Sequence, residues 1–264
     1  KLSSNNTDTF INMNENLISN SITRKTKAIV PVHFTGKLCN IEKIRKIAAG
    51  ENLFLVEDAA QSFGSNIGGK MAGSFGHVGC FSMNPMKVFS SYGEAGAIVT
   101  DDECLAEKLR SLRYNGTVNK EDCHYPSLNG RLDTIQAAMM LVNIKYLKDK
   151  IECRRKIAGI YYEALKDVVI CPQDDGSYHT YYSYTIIAEK RDKLMTYLQS
   201  RGIETKIQHP ILMPCHTAYR YLPKYDIPVA ECLVKKILCI PNQEDLTAEE
   251  IDYIIRCIRV FYKH

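Results

Sequence analysis

The sequence predicts an α/β fold, with a mostly parallel sheet in a larger N-terminal part and a smaller α/β part after it. Three observations carry this expectation. Residues 28–34 and 53–56 are short apolar runs with a helical pattern between them, and a strand–helix–strand order of that length joins parallel strands. Residues 131–165 read as one long helical stretch, broken at most once, and its length suits a bridge between two folded parts. Beyond it strands and helices alternate again, ending in an amphipathic helix. The expected division is residues 1–147 for the larger domain and 148–264 for the smaller.

Residues 1–27 are rich in Asn, Ser and Thr and read as loop with one short helix near 15–21. The run at 28–34 is bounded by turn-like residues, as a buried strand should be. Residues 41–49 place Ile41, Ile44, Ile47 and Ala48 on one helical face, and Gly50 follows as the stop. Two further strands are expected at 78–83 and 96–100, then a helix over 102–114 with Leu105, Leu109 and Leu112 as its stripe. Thr100 and Glu103 have the spacing of a capping box at its start. In the second part, strands are expected at 181–188, 203–207 and 238–240, and helices at 192–200 and 230–237, with Gly202 as a cap. A second capping box, Thr247 with Glu250, opens the last helix, whose face is Ile251, Ile254, Ile255, Ile258 and Phe261.

With 45% hydrophobic and 24% charged residues, the chain is an ordinary globular one, long enough to bury a core without staples. Its net charge of +4 is spread without a block of like sign, which argues against nucleic-acid and membrane-surface partners. Ten cysteines include no C-x-x-C pair, so the usual zinc and redox spacings are absent, no metal site is expected, and buried free thiols are the plain reading. The polar opening residues lack a signal-peptide pattern and no apolar run is long enough to span a membrane. A reducing cytoplasm is the expected setting.

Three stretches carry groups that can do chemistry. Glu57-Asp58-Ala59-Ala60-Gln61 follows a predicted strand directly, and parallel α/β sheets gather ligands at the carboxyl ends of their strands. A lone Asp there is more often a cap or a solvated loop acid. In residues 80–87 a strand ends and Ser82 and Lys87 follow; a lysine becomes a nucleophile when its surroundings lower its basicity, though most lysines are plain surface charges. Asn129-Gly130 is a turn signal leading into the long helical stretch. Each signal is weak alone; their joint order is specific.

That order resembles the DegT/DnrJ/EryC1/StrS family of pyridoxal-phosphate-dependent sugar aminotransferases. The matching stretches are residues 28–36 (AIVPVHFTG), 56–64 (VEDAAQSFG), 73–82 (GSFGHVGCFS), Lys87, 93–100 (GEAGAIVT), 129–138 (NGRLDTIQAA) and 202–205 (GIET). The resemblance implies an aspartate-aminotransferase-like fold (fold type I) and a homodimer with shared active sites. It places Lys87 at the family's Schiff-base lysine and Asp58 at the acid that pairs with the pyridine nitrogen. Gln61 stands where a residue meets the ring's phenolic oxygen, and Ser82 where one meets the phosphate. Asn129 matches a phosphate contact given by the neighbouring subunit. His33 falls near the cofactor by the same analogy, and His209 in a substrate-binding loop. A lysine at 87 separates the chain from the relatives that dehydrate sugars and carry histidine there. The reaction that the resemblance implies moves an amino group from an amino-acid donor, with glutamate the expected one, to a nucleotide-linked keto-deoxy-sugar.

The front of the chain departs from the family pattern. Residues 1–27 show neither the Gly-Thr or Gly-Ser turn that holds the cofactor phosphate at a helix N-terminus nor the aromatic residue that stacks on the ring. A large-domain sheet incomplete at its N-terminal side is therefore expected, with apolar surface left open. Asn115-Gly116 stands where relatives often have His-Gly. Two competing readings follow: a shortened, non-catalytic member acting as a binding or partner protein, and a plain α/β nucleotide-binding protein, against which the absence of Gly-x-Gly-x-x-Gly and of a P-loop counts.

Overall fold

The structure is a computed structural model that describes residues 11–222 and 226–263. In chain order the elements are β1 (Ala28–Ile29), α1 (Ile41–Gly50), β2 (Phe54–Asp58), β3 (Asn66–Ile67), β4 (Lys70–Met71), β5 (Val78–Ser82), β6 (Gly96–Val99) and α2 (Glu103–Arg113). There follow β7 (Thr117–Val118), β8 (Asp122–Cys123), α3 (Thr134–Asn143), α4 (Leu147–Leu165), β9 (Tyr184–Ile187), α5 (Arg191–Gln199), α6 (Pro228–Leu233), β10 (Ile237–Ile240) and α7 (Ala248–Lys263).

The main sheet has the order β1-β2-β5-β6. β1, β2 and β5 are parallel, as the β1-α1-β2 unit requires. β6 is antiparallel to β5, so the sheet is mostly parallel, as expected, with one antiparallel edge. The reason lies in residues 83–95, which form turns rather than a crossover helix, so the chain returns beside the strand it has just left. α1 buries Ile41, Ile44 and Ala48 against Leu53, Leu55 and Phe75, each large side chain contributing roughly 1.5–3 kcal/mol of burial. Gly50 is the last helical residue rather than the stop; Asn52 makes the left-handed turn.

A second core gathers α4, α5 and α7 around the antiparallel pair β9–β10, with Tyr161, Leu165, Tyr184, Leu194, Leu238 and Ile258 sealed from solvent. The long helical stretch is broken by one 3-10 turn at Ile144–Tyr146. The strand expected at 203–207 is reduced to a single bridge between Lys206 and Cys239. Of the two capping boxes only the second forms. α2 is capped by Asp102, which accepts from the Leu105 N–H, while Thr100 donates to the His77 carbonyl instead. At α7, Glu250 accepts from the Thr247 N–H at 2.8 Å and Thr247 Oγ1 accepts from the Glu250 N–H at 3.2 Å. Thr247→Ala should lower stability by about 1 kcal/mol, read as a lower urea midpoint at unchanged slope.

The two cores meet at a buried latch. The Gly36 carbonyl accepts from Ser65 Oγ at 2.5 Å and the Thr180 N–H at 3.3 Å, and the Thr35 carbonyl accepts from His179 Nε2 at 3.0 Å. Gly36 has a φ of +97°, and a Cβ there would come within 2.6 Å of Thr180 Oγ1 and 2.9 Å of the Tyr182 nitrogen, so both conformation and space demand glycine. Beside the latch, Lys37 and Asp175 pair at 2.7 Å.

Candidate active site

Strand alternation decides which acid at the end of β2 is available. Successive side chains point to opposite faces, so Glu57 and Asp58 part company. Glu57 turns into the protein and is fully buried. It accepts four hydrogen bonds, from His33 Nε2 at 2.9 Å and from the N–H groups of Gly73 at 2.8 Å, Phe75 at 2.6 Å and Gly76 at 2.6 Å. Burial pushes its carboxyl up, but His33 and the Gly76 and Gly73 N–H groups outweigh that and hold it below the usual range of 4.5. Asp58 turns to the other face, partly buried, and its carboxylate accepts from the Ala60 N–H at 3.1 Å.

Asp58 is in register with Cys80 on the parallel neighbour β5. Ser82, two residues on, therefore shares that face, and its hydroxyl makes no hydrogen bond within the described residues. Past the strand, the turn from Asn84 to Lys87 closes with the Lys87 N–H on the Asn84 carbonyl at 2.9 Å. The following residues are tied to α3: Gln136 Oε1 accepts from the Tyr92 N–H at 2.9 Å, and Asn143 donates to the Ser90 carbonyl at 3.2 Å. Lys87 is thus delivered to the face that carries Asp58. Among the described residues its Nζ has no ion pair or hydrogen bond, and it lies 4.7 Å from the centre of the Tyr182 ring. Burial pulls the amine below the ordinary lysine range; Asp58 opposes this and Lys206 adds to it.

Gln61 is buried beside this face, its Oε1 accepting from the Thr35 N–H at 2.7 Å. His209 is exposed at the rim, with φ +52° and its ring 5.8 Å from that of Phe34. Two of the expected residues sit apart from Lys87 within this chain. His33 is fully buried behind the sheet. Its Nδ1 accepts from the Cys39 N–H at 3.1 Å while its Nε2 serves Glu57, so both nitrogens are committed within the core. Asn129 sits on an exposed arm, bridged to Tyr114 and accepting from Arg131, and no described contact joins it to Lys87. The arm turns at Asn115-Gly116, both at positive φ, where a Cβ on Gly116 would lie 1.6 Å from the Tyr125 carbonyl oxygen.

Residues 6–259 match the sequence profile of the DegT/DnrJ/EryC1/StrS aminotransferase family. The chain belongs to this family. Its members are pyridoxal-phosphate-dependent enzymes, and the fold is that of aminotransferases of fold type I. A crystal structure of a DegT/DnrJ/EryC1/StrS aminotransferase from Brucella abortus superposes with a TM-score of 0.91 at 37% identity, over 96% of this chain and 71% of that one. The chain is similar to a "Pleiotropic regulatory protein" of Geobacillus stearothermophilus, 38% identical over 92% of this chain and 68% of the relative. It is also similar to a UDP-N-acetyl-3-dehydro-alpha-D-glucosamine 3-aminotransferase of Acidithiobacillus ferrooxidans, 34% identical over 96% of this chain and 69% of the relative.

The side chains present fit the family's cofactor. A free, half-buried amine, an acid on the adjoining strand end and an unengaged hydroxyl stand on one face, which is the donor set that an aldehyde, a pyridine nitrogen and a phosphate ask for. Among the described residues no group of three His, Cys, Asp or Glu side chains is arranged to hold a metal, and no helix is long and apolar enough to cross a membrane. The sequence alone assigns no role to Glu57, Thr35 or Tyr182. Glu57 was legible in principle, since it neighbours Asp58 in a strand and must face the other way; the rest reach the site only through contacts distant in sequence.

Proposed function

We propose that the chain is a pyridoxal-phosphate-dependent sugar aminotransferase in which Lys87 holds the cofactor through its amine. The observation that carries this reading is the unpaired, half-buried Lys87 amine on the same face as Asp58 and Ser82. In this reading Asp58 meets the pyridine nitrogen, Gln61 the phenolic oxygen and Ser82 the phosphate. When bound, the cofactor supplies an electron-withdrawing ring that takes up charge from the reacting carbon. Lys87 does the protein's part of the chemistry, since an amine kept below its ordinary basicity can both attack and carry a proton. Asp58 holds a negative charge where a ring cation needs it, and the Gln61–Thr35 hydrogen bond fixes the amide in place. We assign the acceptor to nucleotide-linked keto-deoxy-sugars and the donor to an amino acid, glutamate first, on the strength of the sugar aminotransferases among the relatives.

We further propose a division into domains near residue 147 and a homodimer that brings Asn129 to a neighbouring site. Leu128, Ile135 and Leu141 are 83%, 66% and 69% exposed around that arm, an apolar surface that a second copy would cover; sedimentation as a monomer at micromolar concentration would exclude the dimer. Ten unpaired thiols suit a cytoplasmic setting.

The test is incubation with pyridoxal phosphate, desalting, borohydride reduction and peptide mapping, followed by glutamate-dependent amination of nucleotide keto-sugars. A reduced pyridoxyl group on the Lys87 peptide together with turnover supports the reading; retention on another lysine sinks it. Asp58→Asn keeps an oxygen for the Ala60 N–H but loses the charge, so kcat should fall about a hundredfold or more with little change in melting. A binding protein without turnover is the second reading, which the regulatory name of the Geobacillus stearothermophilus relative favours; cofactor retention without transfer to any acceptor would support it.

A further inference from the structure

Opposite the strand-end face stands a residue that none of the matching stretches contains. Tyr182 belongs to the segment leading into β9, and its ring centre lies 4.7 Å from Lys87 Nζ, within the range at which an ammonium is attracted to a ring face. The residue is held from several sides. The Tyr182 carbonyl accepts from Arg154 at 3.4 Å, the Tyr182 nitrogen abuts Gly36 in the latch, and the buried side chain of Gln208 lies beside the phenol. The backbone on both sides of the site is in an uncommon conformation: Thr35 has φ +61°, Tyr181 φ +48° and His209 φ +52°. Non-glycine residues adopt such angles at a cost and concentrate at functional sites. Tyr181 and His209 adjoin the two side chains in question, Tyr182 and Gln208.

We propose that Tyr182 is a positioning residue for Lys87, its ring face seating the amine opposite Asp58 and Gln208 keeping the phenol in place. The inference rests on the reading of Lys87 as the cofactor lysine. It gives that lysine a place to go: whenever the amine is not bonded to the cofactor, the ring holds it at the reacting face instead of letting the four-carbon stem swing into water. Lys87 is contributed by the first core and its seat by the second, so the reacting amine is aligned only while the latch is closed.

The test uses the full chain without added cofactor, so that it stands apart from the assignment of the cofactor itself. Lys87 labelling by a small amine-reactive reagent is followed by peptide mass spectrometry across a pH series, in the natural protein, Tyr182→Phe and Tyr182→Leu. Leucine keeps the site apolar but has no ring face to favour the ammonium. Tyr182→Leu should therefore label Lys87 roughly two- to fivefold faster at neutral pH, and the ratio should fall to one in strong base, where the amine is uncharged in every form. Tyr182→Phe, which keeps the ring, should follow the natural profile and so rescue the effect. A Tyr182→Leu ratio of one throughout, or a raised ratio that does not vary with pH, overturns the proposal, the latter because it reports access alone. Failure of pyridoxal phosphate to attach to Lys87 in the natural protein would count against the cofactor assignment and leave these profiles readable.

Discussion

Lys87→Ala should abolish amine transfer, lowering turnover by roughly 10⁴-fold or more, the upper end of what one proton-transferring group contributes. The loss is large because one side chain is asked to serve twice, as nucleophile and as proton carrier. Lys206, the other lysine that influences Lys87 electrostatically, is exposed and bridges to Cys239 through its backbone. The fold should survive. Among the described residues the Lys87 amine has no ion pair or hydrogen bond, and its contact with the Tyr182 ring is worth about 1–2 kcal/mol. Turnover within tenfold of the natural protein, with a normal melting curve, would remove Lys87 from the mechanism.

Glu57→Ala should instead cost stability, about 3–5 kcal/mol, because it strands a buried network rather than trimming a contact. Three backbone N–H groups and the His33 ring would lose their acceptor inside a core from which water is excluded. The effect carries a pH signature. The fold holds the Glu57 carboxyl below its usual 4.5, so the unfolded chain takes up this proton first as acid is added. The stabilisation is present above that value and is lost as pH falls through the lower, folded value. Urea midpoints of the natural and Glu57→Ala proteins should differ most at neutral pH and converge in acid. A gap that is the same at every pH would mean that Glu57 fills space and does not act through its charge.

The sequence is most legible where local rules decide the outcome. The β1-α1-β2 unit, the apolar face of α1 and the Thr247–Glu250 box need only near neighbours, and each forms. The same holds for Asp58, Ser82 and Lys87, which the order of strands and turns is enough to bring to one face. Legibility fails where a residue's partner is distant. His33 looks like a site residue in a Pro-Val-His run, but Glu57, 24 positions away, claims its ring. Thr100 has capping spacing, but the His77 carbonyl claims its hydroxyl. Tyr182 carries no signal at all until the Thr35–Gly36 turn docks against its backbone. The half-buried leucines of α2 follow a correct helical period, yet the period alone says nothing about how deeply a face is covered.

The latch at Gly36 has a consequence for how the molecule stores its stability. Lys87, Asp58 and Gln61 stand on one side of it, Tyr182 and Gln208 on the other. A small molecule that touches both groups can bind only the docked arrangement, and mass action then favours docking by an amount that grows with its concentration. Substrate becomes a ligand-dependent tether between the halves. Amide protons at Thr180 and Ser183, whose acceptors are Gly36 and Thr35, are the natural gauges of that tether, exchanging more slowly with solvent as the site fills.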